Sequence, residues 1–267
     1  MPELPEVEVT RRRLELGLAG RRFAQVVTRV HKLRLPVPPE LETILPGQML
    51  RGIKRRGKYL LFDCESGWLL IHLGMTGFLR LLRETVPPGK HDHLDFMFDD
   101  GRLLRFHDPR KFGIVTWFTG DPRQHPLLSD IGPEPLSDDF DGAYLLGAGK
   151  NRNVPVKQFI MNSSVVAGVG NIYANEALFR ARIRPDRPAG ILTLRECTEL
   201  VAAIRGELDG SISQGSTFRV AEETVAYYPL AFKVYGRGGK PCPGCGGLLE
   251  ETRLGNRSTV FCRACQT

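Results

Sequence analysis

The sequence predicts an α+β chain of more than one domain. It reads as an antiparallel β-rich half opened by a helix, then a helical half, then a short cysteine-rich hairpin. Three observations lead there. Between Phe23 and Phe118 the apolar residues fall in short runs punctuated by glycine and proline, which suits strands joined by tight turns. Further on, Leu200, Ile204, Leu208 and Ile212 recur every four residues, which suits one face of a helix. Two Cys-x-x-Cys pairs lie in the last stretch, where long apolar runs are missing. At 267 residues the chain also exceeds the usual size of a single domain.

Taken in order, the first helix runs from Pro5 to about Gly17. Pro5 suits the first turn, where its missing N–H costs nothing, and Glu6 and Glu8 favour the positive end of the dipole. Val7, Leu14 and Leu18 form its buried stripe. Strands follow at Tyr59-Leu60-Leu61-Phe62, Trp68-Leu69-Leu70-Ile71, Phe78-Leu79-Arg80-Leu81-Leu82 and Leu94-Asp95-Phe96-Met97-Phe98. Asp100-Gly101 is a hairpin signal before Arg102-Leu103-Leu104-Arg105-Phe106. Hairpins without intervening helices indicate an antiparallel sandwich or barrel. A linker rich in proline and acid spans about 121–141, and beyond it Thr193-Leu194-Arg195-Glu196 has capping-box spacing. The domains are therefore read as 1–120, 142–233 and 234–267, joined by the 121–141 linker.

The formal net charge is +7, and 28 of the 37 basic residues are arginine, a balance that suits a polyanionic partner. No run approaches the length of apolar residues needed to span a bilayer, which excludes a helical membrane protein. Met1-Pro2-Glu3-Leu4-Pro5-Glu6 places acid where a signal peptide carries basic and apolar residues, so the protein is expected inside the cell.

Cys242-Pro-Gly-Cys245 and Cys262-Arg-Ala-Cys265 are separated by 16 residues. Two such knuckles can close a tetrahedral four-thiolate zinc site, and four thiolates leave no position for water. The expected cofactor is thus one structural zinc ion, which holds a hairpin too small to fold alone. Arg253, Arg257 and Arg263 lie on or beside that hairpin and suit a nucleic-acid contact or a solvated basic surface. Cys64 and Cys197 stand alone and read as buried fillers.

The segment from Asn162 to Glu176 reads as helix, glycine turn, helix, with Gly168 and Gly170 free to take positive φ. Asn171 falls at the start of the second helix, where amides and dipole favour an anion, though an ordinary interhelical turn reads the same way. At the N-terminus, Met1 precedes a small residue and its removal is expected. Pro2 would then carry a secondary amine titrating near neutrality, able to attack a sugar carbon and form a Schiff base.

Pro2-Glu3-Leu4-Pro5-Glu6-Val7-Glu8 resembles the N-terminal signature of the formamidopyrimidine-DNA glycosylases, and the resemblance runs through nearly the whole chain. It includes Arg56-Gly57-Lys58-Tyr59-Leu60-Leu61, His72-Leu73-Gly74-Met75-Thr76-Gly77, Lys90-His91-Asp92-His93 and Asp108-Pro109-Arg110-Lys111-Phe112-Gly113. The Gly168–Glu176 turn, Val234-Tyr235-Gly236-Arg237 and the four-cysteine finger complete it. The resemblance implies an N-terminal β-sandwich, a helix-two-turns-helix domain and a zinc finger, with DNA in the cleft between the halves. It implies excision of 8-oxoguanine and formamidopyrimidines from double-stranded damaged DNA, followed by β,δ-elimination. The implied protein is a monomer in the bacterial cytoplasm, acting at the nucleoid.

By position, the resemblance makes Pro2 the nucleophile, Glu3 the acid that assists sugar ring opening, Lys58 the helper of β-elimination and Arg257 the residue of δ-elimination. His91, Arg110 and Arg152 fall at DNA-binding places, and Lys157 and Asn171 would hold phosphates. Met75, Arg110 and Phe112 resemble the residues that enter the duplex where the damaged nucleotide has left. Residues 219–233 depart from the family, since they lack the glycines of its mobile loop. Two rivals remain: the endonuclease VIII branch, which prefers oxidised pyrimidines, and a zinc protein that binds DNA without chemistry.

Overall fold

The computed structural model describes residues 2–215 and 231–267. Its chain divides into two compact units, and the division falls between Ser129 and Asp130, within the proline-rich stretch.

The first unit opens with α1 (Leu4–Leu18), followed by β1 (Phe23–Thr28), a single helical turn α2 (Leu41–Ile44), β2 (Leu50–Arg56), β3 (Tyr59–Cys64) and β4 (Trp68–His72). It continues with β5 (Phe78–Leu82), β6 (Asp92–Phe98), β7 (Leu103–His107) and β8 (Ile114–Phe118). The strands form two four-stranded sheets, ordered β1-β6-β7-β5 and β2-β3-β4-β8, with every pair antiparallel. Phe23, Phe96 and Phe106 from one sheet share a core with Leu60, Phe62 and Ile71 from the other. Two sheets with one core make a sandwich, which decides between sandwich and barrel. Val7, Leu14 and Leu18 of α1 enter the same core, and each such fully buried side chain contributes about 1.5–3 kcal/mol. Proline stands in the first turn of α1 as expected, and Gly101 takes φ 83° in the turn between β6 and β7.

The second unit holds α3 (Gly142–Gly149), α4 (Val156–Met161), α5 (Asn171–Arg180), the long α6 (Leu194–Ser213) and the hairpin of β9 (Glu250–Leu254) and β10 (Arg257–Phe261). Thr193 and Glu196 close the expected capping box of α6, and Leu200, Ile204, Leu208 and Ile212 are buried along it. The end of the proline-rich stretch is fixed rather than loose: Arg205 of α6 donates to the carbonyls of Pro135, Ser137 and Phe140. Cys64 and Cys197 are buried, and burial pushes their thiols up to about 12 and about 11, so neither is reactive.

Candidate functional site

The N-terminus is fixed by helix capping. Glu3 is the N-cap of α1; its amide donates to the Glu6 carboxylate at 2.8 Å, and its own carboxylate receives the Glu6 amide. Both acids are buried, Glu3 with 1% of its surface exposed, so Pro2 emerges from a held turn. About one turn along, Glu8 accepts from Arg55 at 2.9 Å, and Arg55 donates to the Gly57 carbonyl at 3.1 Å. Gly57 and Lys58 are the two-residue turn between β2 and β3, with Gly57 at φ 55°. The helix that follows Pro2 therefore also anchors the turn that carries Lys58. Burial alone would raise the Glu8 pKa, but bonds from Arg11, Arg12 and Arg55 hold it at about 2.

His72 lies at the end of β4, its ring 4.8 Å from that of Tyr59. Burial, then the nearby charges of Lys58 and Arg34, push its pKa down to about 4, so the imidazole is neutral at physiological pH. Its Nδ1 accepts the Gly74 amide at 3.1 Å and so shapes the turn that presents Met75. Opposite, Lys111 adopts φ 55°, an unusual conformation for lysine, between Arg110 and Phe112. The Arg110 guanidinium stacks on the Phe112 ring at 4.7 Å, and Phe112 is 41% exposed. A large apolar ring held out with a cation over it suits a group meant for a base stack. His91 is half-buried, edge-on to His107 at 5.8 Å.

In the second unit α4 ends at Met161, ahead of the asparagine that opens the glycine turn. Gly168 has φ 78°, but Gly170 has φ −125° and serves as the extended N-cap of α5, so only the first of the two glycines is left-handed. Asn171 is the first residue of α5, and Arg152 is exposed on a loop. Lys157 is placed differently from a surface phosphate ligand. It is fully buried, and its Nζ donates to the Ser258 carbonyl and to Thr259 Oγ1, both at 2.7 Å. Asn175 Oδ1 accepts the Val260 amide at 2.9 Å. Glu176 accepts the amides of Lys233, Val234 and Tyr235 at 2.8, 2.9 and 2.8 Å. Helices α4 and α5 thus grip both the hairpin and the strand of chain that enters it.

The four cysteine sulfurs lie within 4.8 Å of one another, with Cys242 to Cys265 at 3.9 Å and Cys245 to Cys262 at 3.5 Å. A tetrahedron with Zn–S bonds near 2.3 Å has edges of about 3.8 Å, so the set fits one zinc ion. The Gly244 amide points at Cys242 Sγ across 3.3 Å, the outer-shell bond that suits a thiolate. Gly255 and Asn256 turn β9 into β10 with φ 55° and 60°, which leaves Arg257 exposed as the first residue of β10.

The N-terminal-domain signature of formamidopyrimidine-DNA glycosylase matches residues 1–115. The helix-two-turns-helix domain of that family matches 131–222, and a zinc finger found in these glycosylases and in isoleucyl-tRNA synthetase matches 239–267. A formamidopyrimidine-DNA glycosylase of Geobacter metallireducens is 66% identical over 267 residues, covering all of both chains. The chain belongs to the formamidopyrimidine-DNA glycosylase family. It is thus a DNA glycosylase of base excision repair with a structural zinc finger. A Pelobacter propionicus member is 62% identical over the full length of both chains. Among solved structures, a Lactococcus lactis Fpg in complex with DNA containing an abasic site shares 33% identity with a TM-score of 0.91, over 99% of each chain. The MutM (Fpg) protein of Thermus thermophilus shares 39% with a TM-score of 0.87, over 99% of this chain and 98% of that one.

This glycosylase keeps Pro2, Glu3, Lys58, His91, Met75, Arg110 and Phe112 in the first unit, and Arg152, Lys157, Asn171, Arg257 and the four cysteines in the second. Met1 and the departing segment from 219 to 230 lie outside the described residues. Sequence reasoning passed over Glu6, His72, Thr76 and Asp108 as individuals. Glu6 had a signal, since an acid three residues after an N-cap is a capping-box position. Thr76 and Asp108 are joined by a contact distant in sequence, and His72 meets Tyr59 across a strand pair.

Proposed function

We propose that this glycosylase removes oxidised purines, 8-oxoguanine and formamidopyrimidines, from duplex DNA and then cuts the strand at the emptied sugar. The observation that carries the reading is the capped N-terminus, in which a buried Glu3 directly follows Pro2. Once Met1 is removed, the Pro2 nitrogen lone pair attacks C1′, and the electrons of the glycosidic bond depart with the base, which gains a proton. Glu3 donates a proton to the sugar ring oxygen as that bond to C1′ opens, leaving an iminium between Pro2 and C1′. Loss of a C2′ proton then expels the 3′ phosphate, with Lys58 assisting, and a second elimination at the 5′ side involves Arg257. Lys58 lies close enough to His72 to depress its pKa, as does Arg34, and the neutral imidazole adds no further charge beside the lysine.

Met75, Arg110 and Phe112 occupy the space left by the extruded nucleotide, while His91, Arg152 and Asn171 contact the backbone. Lys157 acts through the hairpin that bears Arg257, because its ammonium is bonded there. Related Lactococcus lactis enzymes are seen with DNA containing an abasic site and with DNA containing Fapy-dG, which supports a damaged-duplex partner. We expect a monomer working in the cytoplasm, with Pro2, Glu3 and Lys58 acting from residues 1–120, DNA contacts added by 142–233 and 234–267, and Arg257 brought by the last of these. The test compares release of 8-oxoguanine and thymine glycol from matched duplexes under single turnover. Preference for 8-oxoguanine is expected, and a strong preference for thymine glycol would contradict the purine assignment.

A further inference from the structure

Asp108 has none of its surface exposed, yet its carboxylate reaches three donors on two loops. One oxygen accepts the Thr76 hydroxyl at 2.9 Å and the Arg110 amide at 3.3 Å; the other accepts the Gly113 amide at 2.7 Å. Its own amide donates to the His91 carbonyl at 3.0 Å, and its carbonyl is 2.8 Å from His93 Nε2. Thr76 directly follows Met75, and Arg110 and Gly113 bracket Phe112. The loops also touch through their backbones: a Cβ at Gly74 would lie 2.5 Å from the Phe112 carbonyl carbon.

We propose that Asp108 is the positioning residue that couples the Met75 loop to the Arg110–Phe112 loop, so that the three side chains enter the duplex as one body. A buried carboxylate is costly unless its lone pairs are satisfied, and here the satisfying donors come from the two loops that must act together. Extruding a nucleotide costs a few kcal/mol. Wedging groups on independent loops each lose conformational freedom on insertion, whereas groups already tied together lose less. The Thr76 hydroxyl is the side-chain link between the loops, and the Gly113 and Arg110 amides hold the carboxylate in its own loop.

This inference rests on the reading of Met75, Arg110 and Phe112 as wedges, so the experiment separates the two. Thr76→Val removes the hydroxyl and leaves the Asp108 amide bonds in place. The full-length, zinc-loaded enzyme is assayed under single turnover on a duplex with a paired 8-oxoguanine and on the same duplex with a preformed abasic site, where no base needs unstacking. Thr76→Val is expected to slow base excision about tenfold, as loss of a hydrogen bond to a charged group allows, with less than about a twofold effect at the abasic site. Thr76→Ser restores the hydroxyl and is expected to restore the rate; Asp108→Asn keeps one acceptor and is expected to fall between. An equal loss on both substrates, or no loss on either, overturns the coupling. If Met75→Ala shows the selective loss and Thr76→Val does not, the coupling fails while the wedge reading stands. If Met75→Ala shows no selective loss, the wedge reading fails and the coupling with it.

Discussion

The amide of Glu3 donates to the carboxylate of Glu6 across 2.8 Å, and both acids are buried. This bond fixes the start of α1 and with it the direction in which Pro2 leaves the helix. Glu6→Ala removes the acceptor and is expected to lower stability by about 1–2 kcal/mol, the usual cost of a lost helix cap. Glu6→Gln keeps an oxygen for the Glu3 amide and should lie between Ala and the natural residue. Denaturant midpoints measure the first effect. A fall in Schiff-base formation larger than the fall in stability would show that the cap also orders the nucleophile.

The buried Lys157 braces the hairpin from α4, and the buried Glu176 holds the segment that leads into it from α5. Lys157→Met leaves the Ser258 carbonyl and Thr259 hydroxyl without that donor, and Glu176→Ala strands three amides. Each is expected to destabilise the second unit by about 2–3 kcal/mol, the scale for unsatisfied buried polar groups. Zinc release to a chelator should accelerate in both variants, and unchanged release would show that the braces do not reach the metal site.

Metal removal should act on the finger as a whole. We expect one zinc per chain, bound by Cys242, Cys245, Cys262 and Cys265. Cys245→Ser or exhaustive chelation is expected to unfold the hairpin that carries Arg257 and to reduce duplex affinity more than tenfold, since such modules fold with their metal. Zinc content and DNA titration check this together.

Acid should destabilise the first unit in two overlapping steps. His72 has a folded pKa of about 4, below its ordinary 6.5. Its neutral form is the one the fold favours, so the unfolded chain binds more protons and stability is lost as pH falls from 6.5 to 4. Glu8 is depressed from 4.5 to about 2, so its contribution is present above 4.5 and lost as pH falls towards 2. His72→Asn should shrink the first step, to which the buried His93 also contributes because burial lowers its pKa, and should leave the second. Melting temperature against pH reads both, and a first step of unchanged size would show that His72 does not contribute to it.

The parts legible in the sequence were those written in short-range chemistry. Cysteine spacing, the Thr193 capping box, the four-residue stripe of α6 and the Asp-Gly turn each depend on neighbours a few residues apart. Strand β2 was hidden because Leu50 and Ile53 are its buried residues, among charged ones, and the register slips between Leu50 and Gly52. Helix α3 was hidden by its glycines; Gly142 is needed because a Cβ there would lie 2.2 Å from the Thr198 hydroxyl. Of the site, Pro2 and Glu3 were visible through a resemblance, and the cap beneath them was signalled by the position of Glu6 but was not read there. Asp108 was not, because its link to Thr76 spans 32 residues and becomes meaningful once β4 and β8 are paired.

The proposed chemistry stands on the Pro2 amine as the nucleophile. The most direct measurement is borohydride trapping on a duplex containing 8-oxoguanine, followed by peptide mapping of the adduct. Enzyme lacking Met1 should give a covalent complex mapped to the N-terminal peptide at Pro2, and enzyme that retains Met1 should give none. An adduct mapped to Lys58 or another lysine, or one formed equally well with Met1 in place, would rule out Pro2 as the nucleophile.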